Sequence, residues 1–166
     1  MIKPEDFAFR PLETSDLAQI IGWRYEPPYD IYNFPTDAVV DDEVGYFQDE
    51  RNGRFYAITT PANNLVGYCT FFADARVPGG DYRAEALDIG LGVRPDLTGL
   101  GKGVGLGFVT AVLAFATQEF NQPAKFRVTI ADFNKRAQRV WQQAGFTQGE
   151  SFGRASDGFP FTIFTK

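Results

Sequence analysis

The sequence predicts a mixed α/β or α+β domain, built on a mostly antiparallel sheet of about seven strands with about four helices around it. Seven short apolar runs have the length and flanking turn residues of strands, and strands alternate with helices only in the middle of the chain. The 166 residues suit one domain, and no repeat or linker divides them. We therefore expect residues 1–166 to form a single domain.

In the first half of the chain, a strand and two helices precede a hairpin. Thr14 is placed to cap a helix whose apolar face holds Leu17 and Ile20, and the prolines at 27 and 28 do not suit its interior. The hairpin is predicted from Pro61 and the asparagines that follow it, which separate two apolar runs. The elements in order are the strand FAFRPL (7–12), the first helix, a helix in AVVDDEVGYFQDE (38–50), and the strands RFYAITTPA (54–62) and NLVGYCTFF (64–72).

In the second half, a strand–helix–strand–helix unit leads into two final strands. A glycine-rich loop separates the first strand of this unit from a long apolar helix, and Gly145 suits the C-cap of the second helix. The elements are the strand EALDIGLGV (85–93), the helix GVGLGFVTAVLAFATQEF (103–120), the strand KFRVTIAD (125–132), the helix NKRAQRVWQQAG (134–145), and the strands FTQGESF (146–152) and FPFTIFTK (159–166).

Charge and composition exclude several classes of function. The net charge is −5, which disfavours binding to a nucleic-acid backbone, and no apolar run is long enough to span a membrane. The chain has no histidine and one cysteine, Cys69, so a Ser-His-Asp triad, a Cys-His pair, a zinc site and an internal disulfide are excluded. We expect a cytoplasmic protein without a metal, whose acid–base chemistry uses Asp, Glu, Tyr, Lys, water or the backbone.

The loop VRPDLTGLGKGVG (93–105) contains four glycines just before the long helix. It is not a Walker loop, because Asp96 stands where the first glycine belongs and Gly103 follows Lys102. Both frames of the dinucleotide motif also fail. Glycines at a helix N-terminus let an anion approach free backbone N–H groups, and a turn without a ligand does not need so many of them. We therefore expect a diphosphate-binding loop, and the alternative is a glycine turn with no ligand.

Several spaced residues resemble the GNAT superfamily of N-acetyltransferases. In that family a strand ending in Val-x-Pro leads to a Gln or Arg, two residues, Gly, one residue, and Gly or Ala. A downstream Asn begins a helix, an Ala follows three residues later, and Gly-Phe ends that helix. The matching residues here are Val93, Pro95, Gly101, Gly103, Asn134, Ala137, Gly145 and Phe146, while Thr98 replaces the Gln or Arg.

The resemblance implies acetyl-CoA as cosubstrate and direct transfer of an acetyl group to a primary amine. The diphosphate would bind the loop amides, and the pantetheine arm would lie beside the preceding strand. The residues expected to bind it are Leu91, Gly92, Val93, Thr98, Gly99, Leu100, Gly101, Lys102, Gly103, Val104, Asn134 and Ala137. An amide near Val93 would polarise the thioester carbonyl.

The general base is assigned to an acid on the strand before the loop, as the resemblance implies. Alternation puts Asp88 on the same side as Gly90 and Gly92, whose missing side chains would leave room for a ligand. Asp88 is therefore the first candidate and Glu85 the second. The general acid is not identified, because Trp141 stands where the family has Tyr, and helical spacing predicts that Trp141 belongs to the core.

The acceptor is expected near WRYEPPYDIYNF (23–34), which in similar enzymes lines the acceptor pocket. Tyr25, Tyr29 and Tyr32 with Glu26 would suit a cationic amine, and the alternative is an aromatic loop packed on the core. A small-molecule amine is the first hypothesis. A peptide or protein α-amine is the second, weakened by Thr129 where protein N-terminal acetyltransferases carry a Glu, and a non-catalytic acyl-CoA-binding domain is the third. Whether the chain forms a homodimer is left open.

Overall fold

A computed structural model describes residues 3–166 of the chain. It contains seven strands and four α-helices. The strands are β1 (Ala8–Pro11), β2 (Arg54–Thr59), β3 (Leu65–Phe71), β4 (Leu87–Val93), β5 (Phe126–Ala131), β6 (Thr147–Gly153) and β7 (Pro160–Thr165). The helices are α1 (Thr14–Ile20), α2 (Val40–Gln48), α3 (Val104–Glu119) and α4 (Lys135–Gln143), and short 3-10 turns include Tyr29–Tyr32, Phe72–Ala75 and Pro95–Leu97.

The seven strands form one sheet in the order β1-β2-β3-β4-β5-β7-β6. Every neighbouring pair is antiparallel except β4 and β5, which run parallel and are connected by α3. This arrangement confirms the mixed, mostly antiparallel fold that the sequence predicts, with seven strands and four helices. In residues 3–166 no helix has both the length and the apolar character needed to cross a bilayer.

The sheet opens in its middle, between the two parallel strands. Pairing of β4 with β5 covers only Leu87–Ile89 opposite Phe126–Val128, although β4 continues to Val93 and β5 to Ala131. On its other side β4 stays paired with β3 as far as Val93, which lies opposite Gly67. The two halves of the sheet therefore diverge beyond Ile89, and a gap opens at the carboxyl ends of both strands.

Helices cover both faces of the sheet. On one face, α3 and α4 bury Phe108, Val112 and Trp141 against the core, with α3 apolar along most of its length because it lies under the centre of the sheet. On the other face, Ile20 of α1 packs with Ala57, Leu65 and partly buried aromatic side chains. The gap between β4 and β5 is therefore walled by helices and loops on two sides.

Candidate active site

A cavity of about 820 Å³ occupies the gap between the diverging strands. It runs from the glycine loop and the start of α4, along the free edge of β4, to the end of β3. The residues predicted to bind the cofactor all line it except Lys102: Leu91, Gly92, Val93, Thr98, Gly99, Leu100, Gly101, Gly103, Val104, Asn134 and Ala137. The structure thus brings together three segments that are distant in sequence, the end of β4, the loop and the first turn of α4.

The glycine loop has the backbone conformation that its composition predicts. Gly99, Gly101 and Gly103 have φ angles of 70°, 73° and 75°, in the left-handed region that favours glycine. A Cβ atom on Gly101 or Gly103 would meet nothing within 4 Å, so the outer surface of the loop is open. Helix α3 begins at Val104, and its first N–H groups have no carbonyl within the helix to bind. The loop therefore presents free N–H donors at the positive end of the helix dipole.

Positive charge reaches this loop from α4. The guanidinium Nη1 of Arg136 lies 2.9 Å from the position of a Cβ on Gly99, and its Cζ lies 4.1 Å from the ring centre of Tyr29. The Thr98 hydroxyl instead donates to the carbonyl of Pro95 at 2.7 Å, within the turn that precedes the loop. Sequence reasoning missed Arg136, although its place in the first turn of α4, two residues after Asn134, was a usable signal.

The free edge of β4 exposes alternate backbone groups to the cavity. The N–H of Leu87 donates to Lys125 on the β5 side at 2.8 Å, and the N–H of Arg94 donates to Val66 on the β3 side at 2.9 Å. Since hydrogen-bonding direction alternates along a strand, the N–H groups of Leu91 and Val93 point toward the gap, where pairing with β5 has ended. The cavity therefore has a strand edge without a neighbouring strand along one wall.

Side chains from β3 fill the space above the two glycines of β4. A Cβ atom on Gly92 would lie 2.2 Å from the ring of Tyr68, and one on Gly90 would lie 2.5 Å from the hydroxyl of Thr70. These glycines therefore admit Tyr68 and Thr70, which are their direct partners in the register of β3 and β4. The interpretation that the glycines leave room for a ligand needs this correction, because the room belongs to two side chains that themselves line the cavity.

The two predicted bases lie outside the cavity lining. Asp88 does point to the same side of the strand as the glycines, but it is 1% exposed and enclosed by two arginines. The Nε and Nη2 of Arg127 donate to its two carboxylate oxygens at 2.6 and 2.8 Å, and Nε of Arg76 donates to Oδ2 at 2.8 Å. Glu85 is exposed and precedes β4, which begins at Leu87. These placements argue against either acid as a base, because neither meets the cavity.

Three of the four predicted acceptor residues line the cavity. Tyr25, Tyr29 and Tyr32 line the cavity, whereas Glu26 is exposed outside it. The hydroxyl of Tyr25 donates to the carbonyl of Val93 at 2.8 Å, and burial raises its pKa, so the phenol stays protonated at neutral pH. The hydroxyl of Tyr32 accepts from Nδ2 of Asn134 at 3.2 Å.

Asn134 and Trp141 have the structural roles that helix spacing predicts. Oδ1 of Asn134 accepts the N–H of Ala137 at 3.0 Å and so caps α4. Trp141 is 4% exposed and packs edge-on against Phe146, with ring centres 4.9 Å apart. Trp141 is therefore a core residue, and the hydroxyl of Tyr25, bound to the carbonyl of Val93, lies beside β4.

Sequence reasoning also missed a group at the β3 end of the cavity, consisting of Tyr68, Thr70 and Asp74. Tyr68 and Thr70 lie in a strand that reads as core, and Asp74 lies in the following 3-10 turn. Asp74 is the carboxylate that lines the cavity in the part of the chain that the structure describes. The alternation of side chains along a strand does not distinguish cavity-lining residues such as Tyr68 and Thr70 from core residues, so the sequence did not reveal them.

Comparison with known proteins agrees with this architecture. Residues 6–147 match the family model described as acetyltransferase (GNAT) domain. A chimera of the spermidine N-acetyltransferase SpeG from Vibrio cholerae and hSSAT is similar in structure, with a TM-score of 0.71 and 17% identity over 96% of this chain and 94% of that one. An acetyltransferase of the GNAT family from Bacillus anthracis gives a TM-score of 0.65 and 16% identity, covering 99% of this chain and 96% of that one.

A putative phosphinothricin N-acetyltransferase gives a TM-score of 0.62 and 13% identity, covering 96% of this chain and 97% of its own. At these identities the solved structures share the fold with this chain. A search of curated protein sequences finds no match.

Proposed function

The chain belongs to the GNAT family of acetyltransferases, and we propose that it transfers the acetyl group of acetyl-CoA directly to the primary amine of a small molecule. One observation carries the proposal: an open glycine loop at a helix N-terminus continues, within one cavity, into the unpaired edge of β4. The first feature suits a diphosphate, and the second suits an extended arm that carries amide groups. Coenzyme A has both, in that order.

The loop end of the cavity fits the diphosphate of coenzyme A. The N–H groups at the start of α3 donate toward it, and the left-handed glycines at 99, 101 and 103 allow close approach of the backbone. Where the family pattern has Gln or Arg, this chain has the uncharged Thr98, and Arg136 supplies a cation beside the loop instead. A hydrogen bond to a charged group contributes about 1.5–3 kcal/mol, so Arg136 would strengthen diphosphate binding noticeably.

The edge of β4 fits the pantetheine arm and the acyl group. The arm's amides would pair with backbone groups of Leu91 and Val93 that face the gap, in place of the missing part of β5. When bound, acetyl-CoA supplies an activated thioester. A backbone N–H of β4 aimed at its carbonyl oxygen would stabilise developing negative charge there, and one such donor contributes about 3 kcal/mol.

Direct transfer then needs a deprotonated amine beside the thioester carbon. The amine nitrogen forms a new C–N bond to the acetyl carbon, and the C–S bond breaks. The nitrogen loses one proton and the released thiolate gains one, so the products are the amide and free coenzyme A thiol. The proposed proton donor to the thiolate is the hydroxyl of Tyr25, which would turn from the carbonyl of Val93 that it binds in the free protein. The proposed mechanism assigns no base role to Asp88 or Glu85, which lie outside the cavity lining.

A small-molecule acceptor is supported by the walls of the cavity. Tyr25, Tyr29 and Tyr32 line it beside α4 and give an aromatic surface suited to an ammonium group. The similar solved structures include spermidine N-acetyltransferases, whose names state an amine substrate. Membership of an acetyltransferase family does not favour a non-catalytic acyl-CoA-binding domain.

Thermal denaturation with and without acetyl-CoA tests the cofactor. Saturating acetyl-CoA should raise the melting temperature, since a ligand at one hundred times its Kd adds about 2.7 kcal/mol, whereas ATP and NAD should not. Gly101→Trp should abolish the shift by blocking the loop. Gly158→Trp is a matched control, because Gly158 also has a left-handed φ, 74°, and open space around it, but lies between β6 and β7.

Release of free thiol from acetyl-CoA, measured with a panel of primary amines, tests the reaction. Amine-dependent thiol release and a matching acetylated amine are expected. No thermal shift at saturating acetyl-CoA would remove the cofactor from the proposal. A normal shift with no turnover of any small amine would remove the acceptor class and leave the cofactor in place.

A further inference from the structure

Opposite charges line the two ends of the cavity. Arg136 of α4 lies beside the glycine loop, and Arg139 of the same helix also lines the cavity. At the other end, where β3 runs into the Phe72–Ala75 turn, the lining carboxylate is Asp74, and no other Asp or Glu among residues 3–166 lines the cavity. An anionic ligand at one end and a cationic ligand at the other would both meet complementary charge.

Asp74 is held in place by one hydrogen bond to its carboxylate and one from its backbone. The hydroxyl of Tyr46 donates to Oδ1 at 2.7 Å, and the backbone N–H of Asp74 donates to the carbonyl of Asn52 at 2.6 Å. The turn begins at Phe72, whose φ of 73° is unfavourable for a side chain of that size. Such a strained turn persists only where its surroundings fix it, and here it carries Asp74 to the cavity wall.

Thr70 provides the second and independent observation. Its side chain is 2% exposed and lines the cavity, yet its hydroxyl has no hydrogen-bond partner within residues 3–166. The hydroxyl lies beside Gly90, 2.5 Å from where a Cβ would be. Leaving a buried hydroxyl unpaired is costly, so a ligand that donates a hydrogen bond at this point would relieve a cost that the free protein bears.

Tyr68 completes the group. Its ring lies across Gly92, next to Thr70 on the same face of the sheet. Burial and the negative charge of Asp74 raise the pKa of Tyr68 to about 12, so the phenol is neutral at physiological pH. Its aromatic face and hydroxyl oxygen suit a cation, and the carboxylate nearby supplies the countercharge.

We propose that Asp74, Thr70 and Tyr68 form a subsite that binds a second ammonium group of the acceptor, separate from the amine nitrogen that reacts. The ammonium would donate to the Asp74 carboxylate and to the Thr70 hydroxyl, with the ring of Tyr68 against it. Because Arg136 holds the diphosphate end, the acceptor would enter from the opposite end and meet the acyl group at β4. This inference rests on the proposed function and narrows it to amines that carry a second cation, and not a carboxylate, at the end distant from the reacting nitrogen.

Kinetics of the full-length protein with three matched amines tests the subsite. The amines are 1,4-diaminobutane, butylamine and 4-aminobutanoate, of which the last carries a carboxylate. The wild type should give its highest kcat/KM with the diamine and its lowest with 4-aminobutanoate. Asp74→Asn should raise KM for the diamine about tenfold to a hundredfold and narrow the preference over 4-aminobutanoate, with the Kd of acetyl-CoA unchanged. Asp42→Asn, on the exposed face of α2, is the control and should change neither quantity.

Thr70→Val separates binding from folding. Valine has nearly the same shape and removes an unpaired hydroxyl, so the melting temperature should stay level or rise while KM for the diamine rises about threefold to tenfold. If Asp74→Asn fails to fold, the KM of Thr70→Val for the diamine tests the subsite by itself. Unchanged KM values in an active enzyme would overturn the subsite. Absence of an acetyl-CoA shift or of turnover in the wild type would instead overturn the proposed function on which it rests.

Discussion

At the scale of single residues, surroundings decide which acid can take part in chemistry. Asp88 and Asp74 are both aspartates near the same cavity. Asp88 lies opposite Arg127 in the register of β4 and β5, so both of its oxygens are taken by guanidinium groups. Asp74 is held at one oxygen by a neutral phenol and lines the cavity. Asp88 therefore connects β4 and β5 through its ion pair, whereas Asp74 is available to a ligand in the cavity.

Substitution Asp88→Asn should therefore reduce stability more than it affects the chemistry. It leaves the guanidinium of Arg127, 3% exposed, without its counter-charge, and breaking a buried pair in this way costs about 3–5 kcal/mol. Urea denaturation measures the loss. Asp81→Asn, which breaks an exposed pair with Arg83, should change stability little. A variant of normal stability with much reduced turnover would restore Asp88 as the base.

Residues of the site that belong to one local segment could be predicted from the sequence. The glycines of the loop and Asn134 with Ala137 follow from spacing, because local backbone geometry fixes them. Arg127, Thr70 and Asp74 could not be predicted, since their roles depend on which strand pairs with which and in what register. Asp88 shows the same limit. The side of the strand to which it points was predicted correctly, but its partner Arg127, 39 residues away, could not be identified from the sequence.

At the scale of elements, the order and type of strands and helices were predictable, and their pairing was not. Period-two alternation reveals that 85–93 and 125–132 are strands, but it does not state how far they stay side by side. In the structure β4 and β5 part after three residue pairs, and this parting creates the cavity. The ends of the elements differ slightly from the predicted ones. The strand predicted from residue 85 begins at Leu87 as β4, so Glu85 belongs to the preceding loop.

The parting of β4 from β5 predicts an alternating pattern of amide hydrogen exchange. Leu91 and Val93 point their N–H groups into the gap and should exchange fast in the free protein, whereas Gly90 and Gly92 point toward β3 and should be protected. If acetyl-CoA lies along this edge, it should slow exchange at Leu91 and Val93 by at least about tenfold and leave the glycines nearly unchanged. NMR-detected exchange measures each amide separately.

Gly101→Trp should remove this effect of acetyl-CoA, while Gly158→Trp should retain it. Equal slowing at all four positions would point to a general tightening of the strand. No slowing at any of them would exclude the edge of β4 as the place where the cosubstrate lies.

At the scale of the whole molecule, buried ion pairs hold the two halves of the sheet and the helical layer together. The Asp88–Arg127 pair joins β4 and β5 at the middle one of the three residue pairs over which they run side by side. At the β1 edge of the sheet, Arg10 of β1 binds Asp16 of α1 through Nη1 and Nη2, at 2.5 and 2.8 Å. Each pair connects two different elements of the fold, so both should contribute to stability.

Asp16 makes this dependence measurable as a function of pH. Burial alone would raise its pKa, but the hydrogen bonds from Arg10 and from the backbone N–H of Glu13 outweigh burial and hold the pKa below the ordinary 3.8. A group whose pKa is lower in the folded than in the unfolded state stabilises the fold above the unfolded pKa. That contribution disappears as the pH falls through the folded pKa.

The free energy of unfolding of Asp16→Asn should therefore lie about 1.5–3 kcal/mol below that of the wild type at pH 7. The amide keeps the acceptor for the Glu13 N–H and loses the charge that Arg10 requires. The two curves should converge as the pH falls below the folded-state pKa of Asp16, where the wild-type carboxyl is also neutral. Urea denaturation at a series of pH values measures both curves, with Asp42→Asn as an exposed control. A constant offset down to the lowest pH would mean that shape at this position, and not charge, stabilises the contact between β1 and α1.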